Sequence, residues 1–245
     1  MIFFSKSPKI QLFVRHCYFS SASHKKERPK HFDRYKCHQN LLQTIDKKRV
    51  EITFFLDSFY KEEEPHFVLE QTEYPVVEIK EGTEAGSFLR LTDYALSQKY
   101  DAETILYFLE DDYLHKEGWV NILQEGFTLP GIDYVTLYDH KDKYFLPSYT
   151  HLESKIFHTE SCHWRTTPST TNTFAMRFKT LLKHQEIQRA FSKERKISAD
   201  HEKFCALKEA GATLISSIPG WATHAEPAYA SPCFNWEKLL HKSTF

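Results

Sequence analysis

Three consecutive carboxylates, Glu110-Asp111-Asp112, close the apolar run of residues 105–109. Adjacent acids repel one another unless a cation, a positive helix end or open water relieves them. Hard divalent ions take oxygen ligands and commonly bridge carboxylates to phosphates. At a strand end, where open α/β sheets bind ligands, the triplet reads as a metal–diphosphate site. The alternative is a solvated acidic turn. Further along, residues 198–204 read as a capped helix start, with Ser198 as N-cap and Asp200 in the first turn. The helix dipole alone favours an acid there; an ionised carboxylate in that place also suits a general base. His224 lies in a loop bounded by Pro219 and Gly220, with no helical pattern around it. Residues 161–172 gather hydroxyls around Trp164, as a site for a polyhydroxylated ligand or as an ordinary polar loop.

The elements that must position these groups alternate along the chain. Residues 10–14, 50–56, 76–79, 105–109, 134–138 and 213–217 are apolar and β-prone. Between them, Phe32, Tyr35, Leu42 and Ile45 mark one helical face. Phe88, Leu89, Ala95 and Leu96 mark a second, for which Thr83 is the expected N-cap. Trp119, Val120, Leu123 and Phe127 mark a third, and Phe174, Phe178, Leu181 and Leu182 a short fourth. The β-α-β order predicts an α/β fold: a mainly parallel central sheet with helices on both faces and right-handed crossovers. No repeat or linker divides residues 1–245, so a single domain is expected.

Composition narrows the function classes. The chain has 245 residues, is 41% hydrophobic and 27% charged, and is therefore globular rather than disordered. With 32 Lys+Arg against 33 Asp+Glu there is no overall field for nucleic acid. Residues 1–49 nevertheless hold 12 Lys/Arg and 3 Asp/Glu, so 12 − 3 leaves a local excess of +9. Such a segment suits phosphates, an anionic membrane surface or plain water. Cys17, Cys37, Cys162, Cys205 and Cys233 are scattered and odd in number, which favours a reducing compartment over a disulfide framework. No run approaches a membrane span, and the start does not read as a signal peptide. A cytoplasmic protein, in peripheral contact with a membrane at most, is expected.

Taken in order, these features resemble a nucleotide-sugar glycosyltransferase of the GT-A fold, family 2-like, over most of residues 9–226. The resemblance implies that Glu110-Asp111-Asp112 stands in for the family's D-x-D motif, with Glu in the first position, and that Asp112 binds Mn²⁺ or Mg²⁺ on the donor diphosphate. It implies that Asp57 contacts the nucleotide base, with Arg15, Arg90, Glu110 and Asp111 also facing the donor. Asp200 matches the acceptor-activating acid of inverting members, although Ala199 precedes it where a second acid is common. His224 matches a late metal ligand. Residues 9–140 become the donor-binding half, and residues 141–245, with Trp164, Thr171, Asn172 and Trp221, the acceptor-binding half. The donor is then a UDP- or GDP-sugar, and the acceptor a carbohydrate, lipid-linked or protein hydroxyl. A nucleotidyltransferase or a non-catalytic binding protein of the same fold are the alternatives.

Overall fold

The computed structural model describes residues 9–241. The first half alternates strand and helix: β1 (Ile10–Cys17), α1 (Arg34–Thr44), β2 (Val50–Asp57), β3 (Val76–Ile79), α2 (Glu84–Ser97) and β4 (Ile105–Glu110). There follow β5 (Tyr113–His115), α3 (Trp119–Gly126), β6 (Tyr134–Thr136), β7 (Ile156–His158), β8 (His163–Thr166) and β9 (Phe174–Arg177). The chain continues with α4 (Phe178–Ala190), α5 (Asp200–Glu209), β10 (Leu214–Ile218), β11 (Ala222–His224) and a short α6 (Glu237–His241).

Nine strands form one sheet in the order β3-β2-β1-β4-β9-β6-β10-β8-β7, and β11 pairs with β5 in a separate two-stranded sheet. The block β3-β2-β1-β4 is parallel throughout. Beyond it the pairing is mixed: β9 runs antiparallel to both β4 and β6, β10 is parallel to β6, and β8 and β7 are antiparallel additions. The expectation of a mainly parallel sheet therefore holds for the first half, and the whole is a mixed α/β sheet. A single sheet runs through both halves of the chain.

The strands are buried on both faces because their alternate residues enter different cores. On one side Leu12, Val14, Ile52, Phe54, Tyr107 and Leu109 pack with Leu41 of α1 and Trp119 and Leu123 of α3. On the other, Phe13, Phe55, Leu106 and Phe108 meet Phe88 and Leu91 of α2, Leu181 of α4 and Phe204 of α5. This is the period-2 division expected of a strand with helices on both faces.

Side-chain caps place two of the helix starts. Thr83 caps α2 as expected, its Oγ1 accepting from Gly86 N at 3.1 Å. Asp33 caps α1, its Oδ1 accepting from Tyr35 N at 2.8 Å. Ser198 does not cap α5: the N-cap is Ala199, without a side-chain bond. Ser198 is instead buried, its amide donating to Glu84 Oε2 at 2.8 Å and its hydroxyl sharing a hydrogen bond with Ser192. Two further expectations fail. Residues 174–177 form β9 rather than helix, and the polar stretch of residues 161–172 contains β8. In both, the sheet supplies partners for the backbone, and that overrides local pattern.

Candidate functional site

Strand register assembles the site. Parallel pairing sets Arg15 of β1 beside Glu110 of β4 and Cys17 beside Asp57 of β2, so all three strands end at one edge. In the small sheet His224 lies opposite Tyr113, and Ala225 N donates to Asp112 O at 2.8 Å. That pairing brings a residue more than 100 positions away back to the acid triplet. A cleft of about 230 Å³ opens there, lined by Asp57, Glu84, Glu110–Asp112, Thr171, Asp200 and His224, with Arg15, Arg34, Lys26 and Lys196 among its cations. Residues 20–23 of the β1–α1 connection form another wall.

Each carboxylate of the triplet has its own arginine. Arg15 Nη2 donates to Glu110 Oε1 at 3.1 Å, Arg34 Nε to Asp111 Oδ1 at 3.2 Å, and Arg28 Nη2 to Asp112 Oδ2 at 2.7 Å. Arg28 is fixed by Ala225 O at 2.8 Å, by Ser23 Oγ and by the Phe32 ring, 4.5 Å from its guanidinium carbon. His224 extends the network, its Nε2 lying 2.9 Å from Asp112 Oδ2 and its Nδ1 3.2 Å from Glu226 Oε2. Lys26 completes it, 3.3 Å from the same Glu226 oxygen.

Burial and pairing pull the titrations apart. Burial pushes Glu110 up to about 7 and Asp111 to about 6, against their arginines. Burial would also raise Asp112, but His224 and Arg28 hold it far below the usual carboxylate range. His224 is buried too, yet Asp112 and Glu226 raise it to about 9, so it stands as imidazolium at neutral pH. Asp200 has a side chain 26% exposed; burial raises it to about 6, opposed by Lys203 Nζ at 3.2 Å. A carboxyl that loses its proton near pH 6 and faces a cleft has the properties of a general base.

The remaining predicted residues separate into those at the cleft and those away from it. Asp57 lines the cleft, but its carboxylate is committed to the turn before α2. It accepts from Gly82 N (2.8 Å), Glu81 N (3.2 Å), Phe59 N (3.1 Å) and Ser87 Oγ (3.1 Å). Gly82 has φ +66°, the left-handed conformation this turn needs. Arg90, expected to face the donor, is paired with Glu81 at 3.3 Å and is not among the residues lining the cleft.

Of the four residues expected to face the acceptor, three do not line the cleft. Trp164 is fully buried on β8 against Gly126 and Val135, its Nε1 donating to Thr159 Oγ1 at 3.1 Å. Trp221 packs beside Gly118 and Lys116, away from the cleft. Asn172 is buried behind the wall, where it donates to Glu84 Oε1 at 2.7 Å and accepts from Lys203. Only Thr171 lines the cleft, its Oγ1 2.7 Å from Tyr113 Oη. Apolar packing claimed both tryptophans, as it does most large aromatics.

Sequence reasoning missed Arg28, Arg34 and Glu84. Glu84 joins Arg15 (2.9 Å), Asn172 and the Ser198 amide, and against its burial these partners hold its carboxyl down at about 2. The basic excess of residues 1–49 was the one signal for the arginines.

Part of the donor set for the expected divalent ion is already in use, while Asp111 Oδ2 is buried without a hydrogen-bond partner. Asp112 Oδ2 is shared by Arg28 and His224, and both ring nitrogens of His224 face carboxylates. Among the described residues no three His, Cys, Asp or Glu side chains converge as a metal-holding group. As arranged, Asp112 and His224 are not an open ligand pair. Among the same residues no helix is long and apolar enough to cross a membrane. Compared with known proteins, the chain matches no family model, and a search of curated proteins finds no significant similarity.

Proposed function

We propose that this protein is a glycosyltransferase that moves a sugar from a nucleoside-diphosphate donor, a UDP- or GDP-sugar, to an acceptor hydroxyl. One observation carries the reading: Asp200, 88 residues beyond Asp112, lines the same cleft as the acid triplet and His224, at the edge where β1, β2 and β4 end. A partly exposed carboxyl lining the same charged cleft as the acid triplet suits sugar transfer.

Asp200 takes the proton from the acceptor hydroxyl as its oxygen attacks the anomeric carbon, and the bond to the nucleoside diphosphate breaks. Direct displacement inverts that carbon. The mixed α/β sheet, with a cleft at the edge where its parallel strands end, supports this reading. Mn²⁺ or Mg²⁺, where bound, would supply positive charge for the departing diphosphate; seating it on Asp112 would mean displacing Arg28.

The test is a panel of UDP- and GDP-sugars, with carbohydrate, lipid-linked and peptide acceptors, scored for release of free nucleotide and for the anomeric configuration of the product. Inverted product that is lost in Asp200→Asn supports the reading. Full activity in that variant, or retained configuration, removes the mechanism. Absence of any nucleotide release or nucleotide-dependent thermal stabilisation favours the non-catalytic alternative.

A further inference from the structure

The cations of the cleft fall into two groups. Arg15 and Arg28 are spent on the protein itself. Arg15 is buried between Glu84 and Glu110, and both terminal nitrogens of Arg28 are engaged by Asp112, Ser23 and Ala225 O. Arg34, Lys26 and Lys196 differ. Arg34 reaches Asp111 through Nε, and no hydrogen bond occupies its two terminal nitrogens among the described residues. Lys26 has a side chain 37% exposed and a single carboxylate partner. Lys196 is exposed at the cleft, a few residues before α5, and pairs with no acid among the described residues.

The negative charge of the triplet is thus already compensated one for one, by arginines held in place by packing and hydrogen bonds. What the cleft offers an incoming anion is the spare N–H capacity of Arg34, Lys26 and Lys196, beside the hydroxyls of Ser20, Ser21 and Ser23. A guanidinium with two free nitrogens is matched to a phosphate in geometry as well as charge, and ammonium groups on flexible stems add charge. A divalent ion entering at Asp112 would have to break the Arg28 pair and compete with His224 Nε2 for the same oxygen.

We infer that the donor's diphosphate is held by Arg34, Lys26 and Lys196, and that donor binding needs no divalent ion on the acid triplet. The inference rests on the nucleotide-sugar reading and names how that site meets its ligand's charge.

Calorimetric titration of UDP and of GDP into the full chain, in EDTA and in Mn²⁺ or Mg²⁺, tests it. For the nucleotide that binds, the dissociation constant in EDTA is expected within about threefold of that with metal, since the charge is already supplied. Lys196→Gln, an exposed substitution that leaves the fold intact, is expected to weaken binding about fivefold at low salt and less at high salt. Arg34→Gln should weaken it further, with circular dichroism confirming that the variant is folded. Titration of wild type with Mn²⁺ alone should show no binding below millimolar concentration. Nucleotide binding that appears only with a divalent ion overturns the inference and leaves the glycosyltransferase reading standing, as does unchanged affinity in Lys196→Gln. Failure of both nucleotides to bind in either buffer overturns the two together.

Discussion

At Asp112 a guanidinium and an imidazolium share one carboxylate oxygen, while the neighbouring Glu110 and Asp111 have one arginine each. Arg28→Ala leaves the buried Asp112 with His224 as its remaining cation. Removing the sole partner of a buried charge costs about 3–5 kcal/mol; with His224 kept as a second cation the expected loss is smaller, about 1–3 kcal/mol in urea unfolding. An unchanged midpoint would mean that the pair is only a surface contact. Asp200 carries the catalytic prediction. Its proton leaves at about 6, so transfer should rise with pH and level off above that value. Below it the rate should fall about tenfold per pH unit, and Asp200→Asn should lower kcat by about 10²–10⁴ while nucleotide affinity stays near wild type. A pH–rate profile flat from pH 5 to 7 would show that another group takes the proton.

Elements convert these residues into a site through register rather than through proximity in the chain. The parallel alignment of β1 with β2 and β4 carries Arg15, Glu110 and Asp57 to one edge, and the β11–β5 ribbon returns His224 to Asp112. The turn held by Asp57 then starts α2, which delivers Glu84 to Arg15. Thr83→Ala removes the cap of that helix and should cost about 1 kcal/mol in thermal or urea unfolding. Gly126 ends α3 where Trp164 and Val135 leave no room: an added Cβ would lie 2.9 Å from the tryptophan ring and 3.1 Å from Val135 Cγ1. Gly126→Ala is therefore expected to cost about 1–3 kcal/mol through overpacking, with nucleotide affinity unaffected. A variant as stable as wild type would show that the Trp164 side chain relaxes.

Across the whole molecule, buried ionisation sets how stability follows pH. His224 is raised from its ordinary value to about 9, so its contribution is complete below pH 6.5 and is lost as pH rises through 9. The same ion pair depresses Asp112 and is counted once. Glu84, held at about 2, contributes stability above pH 4.5 that is lost as pH falls toward 2. Glu110, Asp111 and Asp200 act in the opposite sense: ionising them between about pH 4 and 7 lowers stability, because burial disfavours their charged forms. Unfolding free energies measured from pH 6.5 to 9.5 should decline in wild type by about 3 kcal/mol and much less in His224→Gln. Equal slopes in the two proteins would place the loss elsewhere.

The chain order of apolar runs was enough to predict the alternation of strands and helices, the two-sided burial of β1, β2 and β4, and the Thr83 cap, because each depends on residues within a few positions of one another. It also marked Glu110–Asp112, Asp200 and His224, whose residue types are informative wherever they fall. It did not foresee that Trp164, Trp221, Asn172 and Arg90 lie off the cleft lining, and it missed Arg28 and Arg34. The sheet's mixed second half, the company each polar group keeps and the source of the cations facing the triplet are set by contacts across tens of residues. A carboxylate's need for a counter-charge is local, but whether an arginine or a metal ion answers it depends on which distant side chain the fold carries within about 3 Å.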